Sequence, residues 1–347
     1  MIRAFDFSLA LLRLAISLYA LTLVGCREER GSGSVGKAAP PGSPRAQPAA
    51  EAKPRAVVHL GFQKIGAPFL LKSRSSALDK RLAEQSARAE WQEFKHGPAL
   101  LEAVNAKEVD VGYVGETPPV FAQAGGVDFV YVASDPPAPK AEAIVVRKAS
   151  SLDKLADLRG KKVALNRGSN VHYLLLKALE SAKLSVTDIE VVYLAPADAR
   201  PAFDSGKVDA WLIWDPFLAA AQQSGARVLA SGEQLVNNRF FYVARRAFAE
   251  EHPDLLRTVL DEFKNLSSWE SKNSEESARI LAESSGVSYE ALLLAERRHN
   301  YGMLPISDAI LDSQQAIADS FRKLELIPKD IKTRDAFLPA AVYAEAP

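Results

Sequence analysis

The chain has 347 residues, 43 basic and 43 acidic side chains, 48% hydrophobic and 25% charged content, an ordinary globular balance with length for about two domains. Zero formal net charge argues against a nucleic-acid partner, whose footprint is a basic face. One cysteine excludes a disulfide framework and a cysteine zinc site. The five histidines, His59, His96, His172, His252 and His299, include no pair at metal-ligand spacing, so neither metal nor cofactor is expected.

Residues 1–25 carry Arg3 and Arg13 ahead of an apolar run from Leu14 to Gly25, too short to span a bilayer and suited to a signal peptide. The run ends in Leu23-Val24-Gly25-Cys26, which resembles the bacterial lipobox, where the cysteine becomes the lipidated first residue. The expectation is a chain anchored through Cys26 in the periplasm or on the outer face of the cytoplasmic membrane. Residues 26–56 mix Gly, Ser, Pro, Ala and charge without apolar periodicity, a flexible tether. Gly31, Gly33 and Gly36 spell a G-x-G-x-x-G there, but no strand precedes it and no helix follows, so it is not a dinucleotide site.

From Val57 the body repeats itself. Val58–Lys72 and Val163–Lys177 each read as apolar strand, polar glycine-bearing loop and helix start. Pro98–Val104 and Ala197–Phe203 read as helices. Val109–Val114 and Val208–Ile213 are apolar strands running into proline turns, Gly115–Pro119 and Trp214–Pro216. Helices at Phe121–Ala124 and Phe217–Ala220 follow, then strands at Phe129–Ala133 and Arg227–Ala230. Strands alternating with helices predict α/β lobes with parallel-type sheets covered on both faces. Ligands of such sheets bind beyond the strand carboxyl ends, so two facing lobes make a cleft lined by four strand-end loops.

The remainder, Ala247–Leu338, is mostly helical. Pro253–Trp269 carries an apolar stripe through Leu255, Leu256, Val259, Leu260, Phe263 and Leu266. Asn273 reads as the N-cap of a helix that Gly286 ends. Tyr289–Arg297 and a segment from Pro305 to about Leu324 are two more helices.

The loop chemistry points to an anion. In Asn166-Arg167-Gly168-Ser169-Asn170-Val171-His172 the glycine permits a tight turn, and Ser169 or Asn170 caps a helix whose free N–H groups and dipole favour negative charge. Gly115 lets a ligand approach the matching turn, where Thr117 offers a hydroxyl. Trp214 covers an aliphatic tail, Asp215 orders its loop or holds a cationic group, and Gln63 is a donor at the end of the first strand. No G-x-S-x-G, H-E-x-x-H or G-x-x-x-x-G-K-[ST] occurs. His172 beside Ser169 has no orienting third residue.

With these residues in place, the chain from about Val57 to Phe337 resembles the aliphatic sulfonate-binding proteins of bacterial ABC importers, within the wider taurine, nitrate and thiamine-precursor group. Gly61–Lys64, Trp91–Phe94 with Gly97-Pro98, Gly115–Ala124, Pro136-Pro137 with Pro139–Glu142, Gly168-Ser169-Asn170 with His172, Pro196–Arg200, Val208–Trp211 and Ile213–Phe217 carry the resemblance. It implies a type II periplasmic-binding fold: two α/β lobes, a hinge and an interlobe cleft. The expected divisions are 57–145 for the first part of lobe 1, 146–242 for lobe 2, 243–338 for the completion of lobe 1 with C-terminal helices, and 339–347 for a loose tail. The implied ligand is an alkanesulfonate, delivered by a monomeric, non-enzymatic protein to a membrane permease with a cytoplasmic ATPase. The expected ligand-binding set is Gln63, Gly115, Glu116, Thr117, Glu142, Ser169, Asn170, His172, Trp214, Asp215 and Arg298. Departures at Asn170, Glu116-Thr117 and Arg297–Asn300 leave taurine, nitrate, a sulfate ester or a pyrimidine precursor open as ligands, and an enzyme on the same scaffold as a second class.

Overall fold

The structure, a computed structural model, describes residues 56–339. The expected leader, Cys26, the tether up to residue 55 and the tail from residue 340 lie outside the described residues. Lobe 1 begins with β1 (Ala56–Phe62), α1 (Gly66–Ser73), α2 (Ser76–Glu84), β2 (Ala87–Glu93), α3 (Gly97–Asn105), β3 (Val111–Gly115), α4 (Thr117–Gly125) and β4 (Phe129–Ser134). Lobe 2 follows with β5 (Glu142–Val146), β6 (Lys162–Leu165), α5 (Asn170–Ser181), β7 (Glu190–Tyr193), α6 (Pro196–Asp204), β8 (Ala210–Trp214), α7 (Phe217–Gln223) and β9 (Arg227–Ser231). β10 (Phe240–Arg245), α8 (Arg246–Glu251), α9 (Pro253–Glu270), α10 (Ser274–Ser285), α11 (Tyr289–Glu296) and α12 (Asp308–Lys323) complete the chain. Among the described residues no helix is long and apolar enough to cross a membrane.

The two sheets share one plan. Lobe 1 has the order β2-β1-β3-β10-β4, and lobe 2 has β7-β6-β8-β5-β9. In each, four strands point one way and the fourth position is taken by a strand antiparallel to both neighbours: β10 between β3 and β4, β5 between β8 and β9. The sheets are therefore mixed, where alternation of strand and helix predicts parallel ones, because the lobes exchange a strand. The chain crosses at residues 135–141 and again at 232–239. Division points at 145/146 and 242/243 cut through β5 and β10, and sheet pairing moves both crossings upstream.

Strand chemistry follows position. The central strands β3 (VGYVG), β5 (EAIVV) and β8 (AWLIW) are buried along their whole length, as a sheet covered on both faces requires. Edge strands β2 (ARAEWQE) and β7 (EVVY) carry charge and stay partly exposed, which blunts edge-to-edge pairing.

Helix ends follow their caps. Ser288 and Ser307 accept bonds from Ala291 N at 3.3 Å and Ile310 N at 3.4 Å. Gly286 leaves α10 at φ 72°, the left-handed exit glycine allows. Asn273 stands at the N-cap of α10, but its Nδ2 donates to Trp269 O at 2.8 Å instead.

α9 buries Leu256, Val259 and Phe263 in the core of lobe 1, where Phe263 meets Tyr242 at 5.4 Å between ring centroids, at roughly 1.5–3 kcal/mol per buried side chain. Helix α5 has two apolar faces. Leu174, Leu175, Ala178 and Leu179 fill the core of lobe 2. Leu176 joins Val120 and Ala124 of α4 and Phe321 of α12. This second face joins the lobes along one side of the cleft.

Candidate functional site

The cleft has an inner chamber where strand-end loops of both lobes meet. Lobe 1 supplies Gln63 after β1, Gly97 at the start of α3, Gly115 at the end of β3 and Pro118 in the first turn of α4. Lobe 2 supplies Ser169 and Asn170 at the start of α5, and Trp214 at the end of β8. The second crossing adds Asn238 and Phe240. Three helix N-termini, of α3, α4 and α5, thus converge from both lobes, and among the described residues no ionisable side chain lines the chamber.

The helix starts are unequally capped. His96 accepts from Ala99 N at 3.3 Å and so caps α3. The side chains at the N-caps of α4 and α5 make no capping bond. Ser169 is at the N-cap of α5, but its Oγ donates to Asn166 O at 2.7 Å. The His172 N–H is taken by Ser169 O at 2.9 Å, so the N–H groups of Asn170 and Val171 are left for a ligand.

Asn170 is the central connector. Its Oδ1 accepts from Thr117 N at 3.1 Å. Its Nδ2 donates to Asn238 Oδ1 at 2.7 Å and to Arg239 O at 3.4 Å. One lobe 2 side chain thereby holds a lobe 1 turn and the second crossing. A Cβ on Gly115 would stand 2.1 Å from Asn170 Oδ1, so glycine is required there for close approach rather than for backbone freedom.

Gln63, whose Nε2 donates to Tyr113 O at 3.0 Å, and Trp214, 8% exposed, also line a second cavity of about 220 Å³. Its walls include Ile65, Phe94, Pro196, Pro216, Phe217 and Val287, so an apolar compartment adjoins the inner chamber. Trp214 packs edge-on against Phe217 with centroids 6.3 Å apart.

The other expected ligand residues have different tasks. Glu116 is buried and accepts from Asn238 N and Arg239 N at 3.0 Å each; it braces the crossing rather than facing the chamber. Burial pushes its carboxyl up to about 7 against those two bonds. Thr117 Oγ1 is buried without a partner, and only its backbone N–H meets Asn170. Glu142 is fully buried with neither carboxyl oxygen bonded; burial, then the nearby Glu116, holds it well above the usual carboxylate range. His172 Nδ1 accepts from Gly168 N at 3.3 Å and its ring stacks on Phe121 at 6.1 Å. Burial, then Arg167, lowers it to about 4. It is a neutral packing group, not a base for Ser169.

Asp215 lines the second cavity but is already engaged. Ala219 N donates to its Oδ1 at 2.9 Å, and Arg298 Nη1 lies 3.3 Å from both oxygens. Burial raises its carboxyl to about 6 although Arg298 opposes the shift. Arg298 lines neither cavity. It reaches from the segment after α11 to Asp215 and Gln222 of lobe 2, and Ser288 donates to Gln223 at 2.9 Å beside it. This contact is a second link between the lobes, made by residues other than those of α5.

Two chamber residues, Asn238 and Phe240, have no functional signal in the sequence; Gly97 and Pro118 stand in segments that carry the family resemblance but have no ligand signal of their own. Gly97 precedes a proline that could mark a helix start. Asn238 and Phe240 come to the site only through the second crossing.

Comparison with known proteins places these features. The NMT1/THI5-like family model matches residues 94–276. A protein of Escherichia coli (strain K12) named as an aliphatic sulfonates-binding protein is 41% identical over 82% of this chain and 89% of its own. The alkanesulfonate-binding protein SsuA from Xanthomonas axonopodis pv. citri, solved bound to MOPS, has a TM-score of 0.78 at 37% identity, covering 84% of this chain and 100% of that one. A DszB variant solved with biphenyl-2-sulfinic acid has a TM-score of 0.61 at 19% identity over 83% of this chain and 98% of its own, a likeness of fold alone.

Proposed function

From the premise that this chain belongs to the aliphatic sulfonate-binding protein family, we propose that it captures alkanesulfonates between its lobes and presents them to the permease of an ABC importer. One observation carries the reading: three helix N-termini from both lobes converge on a chamber that no ionisable side chain lines among the described residues. Each end favours an anion by roughly 0.3–1 kcal/mol when exposed and up to about 2 when partly buried. A sulfonate keeps its charge across the physiological pH range and offers three acceptor oxygens. It is suited to N–H and amide donors and needs no buried cation. The neighbouring apolar compartment beyond Trp214 and Gln63 suits a hydrocarbon tail.

The protein binds and releases without turnover in this reading, since His172 is engaged by Gly168 and Asp215 by Arg298. Export, attachment through Cys26, monomeric state and delivery to a permease with its ATPase are further parts of the proposal. They rest on the lipobox-like segment and on the family.

Binding is tested by thermal unfolding and calorimetry of the purified protein against straight-chain sulfonates, matched carboxylates, taurine, nitrate and sulfate. Ligand at about 100 times its dissociation constant adds roughly 2.7 kcal/mol. Stabilisation by alkanesulfonates and not by matched carboxylates supports the reading. Folded, ligand-free protein that no sulfonate stabilises would overturn it.

A further inference from the structure

Resting on that reading, the charges around the tail compartment define which sulfonates fit. Four charged side chains stand on its wall: Lys64, Glu93, Lys95 and Asp215. Three are engaged. Lys64 Nζ donates to Ser285 O at 3.1 Å and lies 3.7 Å from Glu93. Asp215 is held by Arg298 and Ala219 N. Lys95 is exposed, and among the described residues it has neither a hydrogen bond nor an ion pair. Its neighbour His96 spends Nδ1 on Ala99 N.

Once these pairs cancel, the wall carries one uncompensated positive charge. It also lacks a free carboxylate to receive an ammonium group. Lys95 is two residues from Gly97, which lines the anion chamber. His96 between them is extended, at φ −162° and ψ 159°, so the two α-carbons are about 7 Å apart.

We infer that the site prefers sulfonates whose far end carries a second anion, a carboxylate or another sulfonate, separated from the first by a short apolar spacer, with Lys95 as the residue that sets this preference. One anion then sits on the helix N-termini and the other faces the Lys95 ammonium across the mouth of the tail cavity. Sulfonates with a terminal ammonium are disfavoured, because the compartment pairs its own carboxylates.

Three ligands of nearly equal length isolate the far end: 1-butanesulfonate, 4-sulfobutanoate and 3-aminopropanesulfonate. Their dissociation constants are measured by calorimetry on the purified full-length chain and on Lys95→Gln, at low and high salt. In the unaltered protein 4-sulfobutanoate is expected to bind about two- to five-fold more tightly than 1-butanesulfonate, the size of an exposed ion pair. The aminosulfonate is expected to be the weakest. Lys95→Gln weakens 4-sulfobutanoate more than 1-butanesulfonate and so removes the carboxylate advantage, and high salt reduces that advantage in the same way. If 1-butanesulfonate binds but 4-sulfobutanoate gains nothing, or keeps its gain in Lys95→Gln, the inference fails while sulfonate capture stands. If none of the three binds, both fail together.

Discussion

Gly115→Ala should disable the site through a side chain fifty-five positions away. The new Cβ falls 2.1 Å from Asn170 Oδ1, 2.5 Å from Cγ and 2.6 Å from Nδ2. No atom of any other residue is among the three nearest, so Asn170 itself must move. Moving it breaks the bonds from Thr117 N and to Asn238 Oδ1, and leaves two buried groups unpaired at about 1–3 kcal/mol each. The expected loss is about 2–5 kcal/mol, a drop in Tm of several degrees. The displaced amide also intrudes on the anion chamber, so sulfonate affinity should fall at least tenfold, by roughly 1.4 kcal/mol. Calorimetry and thermal unfolding of Gly115→Ala, Asn170→Ala and the double variant form a cycle. Asn170→Ala removes all three clashing atoms, so the double variant should resemble Asn170→Ala alone. Additive losses, or a Gly115→Ala protein with unchanged Tm and affinity, would refute the contact argument.

Further expectations concern charge and burial. Arg298→Leu leaves Asp215, 2% exposed, without its cation, and should lower stability at pH 8 by about 3–5 kcal/mol. Adding Asp215→Asn should recover most of that, as thermal unfolding would show. Asp215 and Glu116 sit at about 6 and about 7 in place of 3.8 and 4.5, so the folded protein holds extra protons. Their stabilising contribution is complete below about pH 4 and is lost as pH rises through 6–7, on the order of 3 kcal/mol each. Denaturant titrations from pH 4 to 8 check this, and Asp215→Asn should flatten its share. Glu142→Met replaces a carboxyl whose two oxygens have no partner with an apolar group and should raise Tm by a few degrees; a lower Tm would mean that Glu142 is satisfied by a route outside the protein's own groups. Trp214→Ala should weaken long-chain sulfonates more than methanesulfonate, measured as a ratio of dissociation constants, because Trp214 stands between the two compartments.

Most of the architecture is legible in the sequence, because the local rules and the tertiary result agree. The repeated strand-loop-helix units, the α9 stripe and the Gly286 stop all need only nearby residues. β5 and β10 were not legible. AIVV and FFYVA are short apolar runs without distinctive period, and their partners are fixed by pairing across the whole molecule. The chamber shows the same division. Gly115, Ser169, Asn170 and Trp214 lie at strand ends or helix starts, where chemistry can be read from spacing. Glu116, His172 and Arg298 have the composition of ligand groups, but each binds the protein itself. A polar residue that braces a cleft and one that lines it have the same sequence signal, and only the hydrogen-bond partner separates them.

The strand exchange has a consequence for the order of assembly. Among the strands of the described residues, β4 pairs with β10 alone and β9 with β5 alone; the other bridges of β4, to Leu304 and Phe337, come later still in the chain. As the chain is made from its N-terminus, β5 is already present when β9 appears, so lobe 2 can close as soon as residue 231 is available. Lobe 1 cannot: its fourth strand waits, unpaired, for residues 240–245, over 100 residues later. The second lobe is topologically an insertion whose strands are all available first, and the sheet that the chain begins is finished by a strand that follows the insertion. Until then the binding chamber lacks Asn238 and Phe240, so ligand capture and completion of the first sheet arrive with the same few residues.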